Sequence, residues 1–153
     1  MFRRGFPFIL VLLLTGADQL TKSFIKEYLT HPIKLTPFAQ LVYVQNKGAA
    51  FGMLQGLGNT TFIFISLVAI IFIVYMLLKQ KESSYVLATI LAGALGNLID
   101  RIRFGYVIDF IDLHIGSYHW PAFNIADSCL SIGLALLFIQ LFFFRPQSKK
   151  EII

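Results

Sequence analysis

Two aspartates, Asp109 and Asp127, stand beside long apolar stretches where an ionised carboxylate is expensive and needs a reason to be there. Held a few ångströms apart, two such groups do not both ionise, so near neutral pH they share one proton. One member of the pair can then take a proton from water while the other hydrogen-bonds a carbonyl oxygen under attack. That division of labour hydrolyses an amide without a metal.

Other chemistries have less support. No His-Glu-x-x-His zinc motif occurs, and His31, His114 and His119 show neither metal-ligand spacing nor a serine placed for nucleophilic attack. The single cysteine, Cys129, cannot form an intrachain disulfide and reads as a small buried hydrophobe. No metal and no other cofactor is expected. Asp112 competes with Asp109 as the carboxylate of its segment, but it has no matching Asn or Gly stripe and reads as a solvated loop acid.

The elements that must carry the aspartates are membrane helices. The 153 residues are 57% hydrophobic, with 16 Phe and only 14% charged, which is too much apolar surface for one small soluble core. A helix rising about 1.5 Å per residue needs about 20 apolar residues to cross the hydrocarbon. Four spans satisfy or approach this, at 6–28, 60–78, 83–101 and 120–144, in a single domain covering 1–153. The first has a rival reading as a signal peptide, since Arg3-Arg4 precede an apolar run with small residues near Thr15-Gly16-Ala17. Its helical pattern continues to Tyr28, however, and removal would leave an odd number of spans. Residues 29–58 are too apolar for a disordered linker. Pro32 and Pro37 break helix, Leu41 to Gln45 reads as a strand, and Gly48, Gly52, Gly56 and Gly58 punctuate the remainder, so a small β element is expected there. The predicted fold class is a mainly α membrane protein with four transmembrane helices and a small extracytoplasmic β cradle.

The net charge of +5 is largely a topology signal, because no basic stretch is interleaved with aromatics in the manner of a nucleic-acid binder. Residues 1–5, 79–84 and 145–153 hold seven Lys/Arg in twenty positions, against five in the fifty-three positions of 26–59 and 101–119. By the positive-inside rule both termini face the cytoplasm. The aspartates then lie on the extracytoplasmic side.

Polar residues inside the spans mark the faces that turn towards protein. Asp18 and Lys22 share a face of the first helix in the favourable order for a pair; mutual neutralisation and substrate positioning are both open. In the third span Gly93, Gly96, Asn97 and Asp100 form a small and polar stripe, which suits helix packing as well as function. Arg101 comes next, at the interface. Asn124 and Asp127 share a face of the fourth span, with Pro121 placed in its first turn and Asp127 about six residues, roughly 9 Å, below its outer end.

Four blocks carry a family resemblance. Asp18-Gln19-Leu20-Thr21-Lys22, Asn46-Lys47-Gly48-Ala49-Ala50-Phe51-Gly52, Gly93 to Arg101 with Gly105 to Phe110, and Trp120 to Ser128 resemble, in order, the signature blocks of lipoprotein signal peptidase, signal peptidase II. The resemblance covers most of the chain from Asp18 to Ser128. It implies a bacterial inner-membrane, multi-pass aspartic endopeptidase that removes signal peptides from diacylglyceryl-modified prolipoproteins, cutting just before the modified cysteine. Carried over residue by residue, the catalytic dyad falls on Asp109 and Asp127. The supporting residues fall on Asp18, Lys22, Asn46, Gly96, Asn97, Asp100, Arg101 and Asn124. A second glycine usual in the family is Ala92 here, which touches packing only. The segment from Tyr106 to Trp120 would cover the active site. Prolipoproteins and membrane lipids are the implied partners, nucleic acid is not, and the mechanism needs only a monomer. Two rivals remain: a small proton-conducting transporter, which an absent duplicated half disfavours, and a noncatalytic scaffold.

Overall fold

The computed structural model describes residues 6–48, 55–79 and 84–143. Ala49 to Gly52, and most of the terminal Lys/Arg used for topology, lie outside the described residues. Four helices are long and apolar enough to cross a membrane: α1 (Phe6–Tyr28), α2 (Gly58–Lys79), α3 (Ser84–Phe104) and α4 (Ile125–Phe143). Strands β1 (Ile33–Thr36) and β2 (Ala39–Asn46) come after α1, and β3 (Val107–Ile115) and β4 (Tyr118–His119) lie between α3 and α4. They form one antiparallel sheet in the order β1-β2-β3-β4.

Helix α3 is the centre of the bundle. Of its apolar window 61% is buried inside the protein, against 11–22% for the other three, whose apolar residues face outward as lipid-facing residues do. Helices α1, α2 and α4 each pack chiefly on α3. The small stripe seen in the sequence makes this possible on the α4 side. A Cβ at Gly93 would stand 2.4 Å from the Ala126 carbonyl oxygen, and one at Gly96 would stand 2.6 Å from Asp18 Oδ2. On α4, Gly133 returns the fit against Ile90, 2.5 Å from where its Cβ would lie. Backbone therefore meets backbone across α3 and α4, and the absence of side chains sets the distance. Ala92, where the family usually has glycine, is buried between α1 and α3 and accepts a hydrogen bond from Thr15 at 3.3 Å.

Two helix boundaries differ from the expected ones. Helix α3 runs a turn beyond Arg101 and closes at Gly105, whose φ of 80° supplies the left-handed cap and whose N–H returns to the Arg101 carbonyl at 3.1 Å. Arg101 thus sits inside the helix. Helix α4 starts at Ile125, not near Trp120, because the preceding residues pair with β3: Phe123 exchanges hydrogen bonds with Ile111 at 2.8 and 3.0 Å. Pro121 belongs to this extended link, and Asp127 lies in the first turn of α4, not 9 Å below its end. The Tyr106–Trp120 segment is part of the sheet.

Candidate active site

Backbone register brings the aspartates to one place. On β3, Asp109 is paired with Val44 of β2, and the Phe123–Ile111 bridge lays Asn124 alongside it. Asn124 is the residue before α4 and caps that helix: its Oδ1 accepts from the Asp127 N–H at 2.8 Å, while Asp127 Oδ2 accepts from the Asn124 N–H at 3.3 Å. This reciprocal exchange is a capping box with Asn and Asp in the two positions. The same Asn124 donates from Nδ2 to Asp109 Oδ1 at 2.7 Å. One fully buried residue therefore touches both carboxylates, Asp109 through its side-chain amide and Asp127 through its backbone N–H.

Each acid has a second asparagine. Asn97 of α3 donates to Asp127 Oδ1 at 2.8 Å, and Asn46 at the end of β2 donates to Asp109 Oδ2 at 3.0 Å. Asp109 is 2% exposed, and its carboxyl is pushed up to about 7, first by burial and then by the charge of Asp127. The amides of Asn46 and Asn124 and the Lys22 ammonium pull in the opposite direction without cancelling this. Burial and the neighbouring Asp127 charge together favour the protonated form of Asp109.

Behind the asparagines lies a buried charge cluster. Lys22 Nζ stands 2.9 Å from Asp18 and 3.0 Å from Asp100, and donates to Asn97 Oδ1 at 3.1 Å. All three charged side chains are at most 1% exposed. Both acids also anchor backbone: Asp18 accepts from the Ala126 N–H at 2.9 Å, in the first turn of α4, and Asp100 accepts from the Ile108 N–H at 3.0 Å, one residue before Asp109. Asp18 and Lys22 are thus more than a neutral pair; with Asp100 they fix where α4 and β3 begin. Gly96 contributes space, since any side chain there would displace Asp18.

Arg101 faces a cavity of about 810 Å³ whose walls are α2 and α4 and whose floor is α3, with Asn97 and Asp127 on its surface. Its guanidinium lies 4.3 Å from the Phe62 ring centre and donates through Nη2 to the Gly48 carbonyl. Its Nη1 is buried without a hydrogen-bond partner among the described residues. The cavity is mostly apolar, with Asn46, Asn97, Arg101 and Asp127 as its larger polar groups.

Sequence reasoning missed three participants. Gln19 bonds Asp18, the Gly96 carbonyl and Asp100 at 3.3, 3.1 and 3.0 Å, cross-linking α1 to α3. It lies within the first block, and its place between Asp18 and Lys22 is the available signal. Asn59 donates to the Arg101 carbonyl at 3.0 Å. Asp112, expected in solvent, is 6% exposed and is held by Gln40 at 2.6 Å and His119 at 2.8 Å. Burial alone would raise its carboxyl, but those two hydrogen bonds and the nearby histidines outweigh it and hold it low. The histidines, unremarkable in spacing, are likewise brought together: His114 and His119 stack at 4.9 Å beside Asp112.

Among known proteins, residues 10–143 match the model of the family described as signal peptidase (SPase) II. The chain is 49% identical over 138 residues to a lipoprotein signal peptidase of Thermodesulfovibrio yellowstonii, covering 89% of this chain and 92% of that one. It is 42% identical over 151 residues to the lipoprotein signal peptidase of Francisella tularensis subsp. novicida, covering 92% and 94%. A solved bacterial membrane enzyme superposes with a TM-score of 0.86 at 34% identity, over 97% of this chain and 95% of the other. A second superposes with a TM-score of 0.81 at 36% identity, over 90% and 93%.

Proposed function

Because the chain belongs to the signal peptidase II family, a family of peptidases, we propose that Asp109 and Asp127 activate water to cut diacylglyceryl-modified prolipoproteins just before the modified cysteine. The observation that carries this is Asn124, which binds one carboxylate through its amide and caps the other's helix turn. In the resting pair Asp109 carries the shared proton and Asp127 is ionised. Asp127 takes a proton from water as the water attacks the scissile carbonyl, Asp109 hydrogen-bonds the oxygen that gains charge, and the C–N bond then breaks as the proton held by Asp127 passes to the leaving nitrogen. The unsatisfied Arg101 Nη1 is a donor for a substrate backbone carbonyl. The apolar cavity between α2 and α4 receives the lipid chains, and its position sets the scissile bond against the pair. The enzyme acts as a monomer, as one integral-membrane domain of the bacterial inner membrane, with both termini in the cytoplasm and the sheet and active site on the extracytoplasmic side.

The substrate class is tested by a processing assay on one precursor with and without prior diacylglyceryl transfer. Cleavage should require the lipid; equal rates on both forms would refute the inferred substrate.

The raised carboxyl of Asp109 adds a pH dependence. A carboxyl raised to about 7 from an ordinary 3.8 is protonated in the folded chain over a range where the unfolded chain is ionised. Its contribution to stability is therefore complete below about pH 4 and lost as pH rises through about 7. The productive single-proton pair is lost over the same rise, so kcat/KM for a non-titrating substrate should fall above about pH 7. A profile flat from about pH 6 to about pH 9 would contradict the assignment of the proton to Asp109.

A further inference from the structure

The hairpin formed by β3 and β4 carries a second cluster that the aspartate pair does not use. Asp112 and His114 are two residues apart on β3 and so share a face, and His119 is the cross-strand partner of His114. Gly116, at a φ of 60°, makes the tight return that sets this register. One ligand atom from each of the three lies within 4.8 Å of the others. His119 Nδ1 already stands 2.8 Å from Asp112 Oδ2. His114 Nδ1 is buried and has no hydrogen-bond partner among the described residues, an arrangement that costs free energy unless something supplies one.

We propose that Asp112, His114 and His119 form a binding site for a divalent transition-metal ion of the zinc class. Two imidazoles and a carboxylate suit Zn²⁺, Cu²⁺ or Ni²⁺, whereas Mg²⁺ and Ca²⁺ call for an all-oxygen set. Tetrahedral ligands at about 2.0 Å stand roughly 3.3 Å apart, so the widest separation closes by at most about 1.5 Å. His119 has the freedom to adjust as the set closes, because its side chain is 48% exposed and sits on a two-residue strand. Gln40, donating to Asp112 at 2.6 Å, orients the carboxylate as an outer partner does in metal sites. The bound ion satisfies His114 and ties both strands of the hairpin together. The Trp120 N–H bonds the Leu113 carbonyl at 2.7 Å, and both residues line the cavity beside the aspartates. Metal loading therefore stiffens one rim of that cavity.

The test is Zn²⁺ titration of the full-length, untagged protein in detergent, read by calorimetry and by the shift in thermal unfolding, with the visible spectrum of bound Co²⁺ reporting geometry. One equivalent should bind and raise the unfolding temperature. His114→Ala and His119→Ala should each weaken binding by about 10-fold or more. His31→Ala should leave it unchanged. His119→Gln separates a ligand from a structural clip, since glutamine still donates to Asp112 but offers no imidazole; it should keep the metal-free unfolding temperature and lose the metal-induced rise. No binding by wild type, or equal binding by the His114→Ala/His119→Ala double variant, would overturn the proposal.

Discussion

Asp109→Asn and Asp127→Asn should each slow processing of a diacylglyceryl-modified precursor by about 1,000-fold, the middle of the range for removing a positioned acid or base. Both variants should insert and unfold much as the wild type does. The amide preserves shape at each site and keeps one oxygen for one of the two donors, Asn46 or Asn124 at Asp109 and Asn97 or the Asn124 N–H at Asp127, so each variant gives up one hydrogen bond, about 1 kcal/mol. The alanine variants should be equally inactive, and they exclude activity recovered by deamidation. Measured initial rates within about tenfold of wild type for both single variants would remove the pair from the mechanism and place the peptidase's catalytic groups elsewhere in the chain. A proton flux across proteoliposomes that disappears with Asp127→Asn would instead favour the transporter.

The second large effect is on stability. Lys22→Met should destabilise the protein by about 3–5 kcal/mol, because it leaves Asp18 and Asp100 buried with no cation between them. Adding Asp18→Asn and Asp100→Asn should recover much of that loss, since the uncompensated charge is then gone. Activity should not return with it, because Asn97 loses the ammonium that orients its oxygen. Reversible unfolding in detergent measures the first two effects. A loss below about 1 kcal/mol, the value of a solvent-exposed ion pair, would show that water reaches the cluster and that burial does not set its energetics.

Length and apolar content are enough to reveal four membrane helices, since crossing a bilayer is a requirement that composition alone expresses. The start of α4 is hidden for the same reason. Residues 120–124 are as apolar as a helix, but their hydrogen bonds go to β3, and hydropathy does not register a backbone partner. The i,i+4 spacing of Asp18 and Lys22 is legible, whereas Asp100 as the third member depends on how α1 lies against α3. Asp112 misleads because its partner Gln40 is 72 residues away and is brought opposite by strand register. His114 and His119 are five positions apart, a spacing that means nothing on a helix and places them face to face across a hairpin. The aspartates themselves are legible from cost: a carboxylate beside so much apolar sequence requires an explanation.

The cavity walled by α2 and α4 has a consequence for how the enzyme meets its substrate. On the proposed function, an opening between two membrane helices faces sideways into the bilayer, and a lipid-anchored precursor would arrive by diffusion in a plane. Search in two dimensions replaces search in three, and encounters depend on the number of precursors per unit area of membrane. Molar concentration in the surrounding water is then the wrong variable. Diluting the membrane with inert lipid starves the enzyme, while diluting the aqueous suspension leaves it supplied.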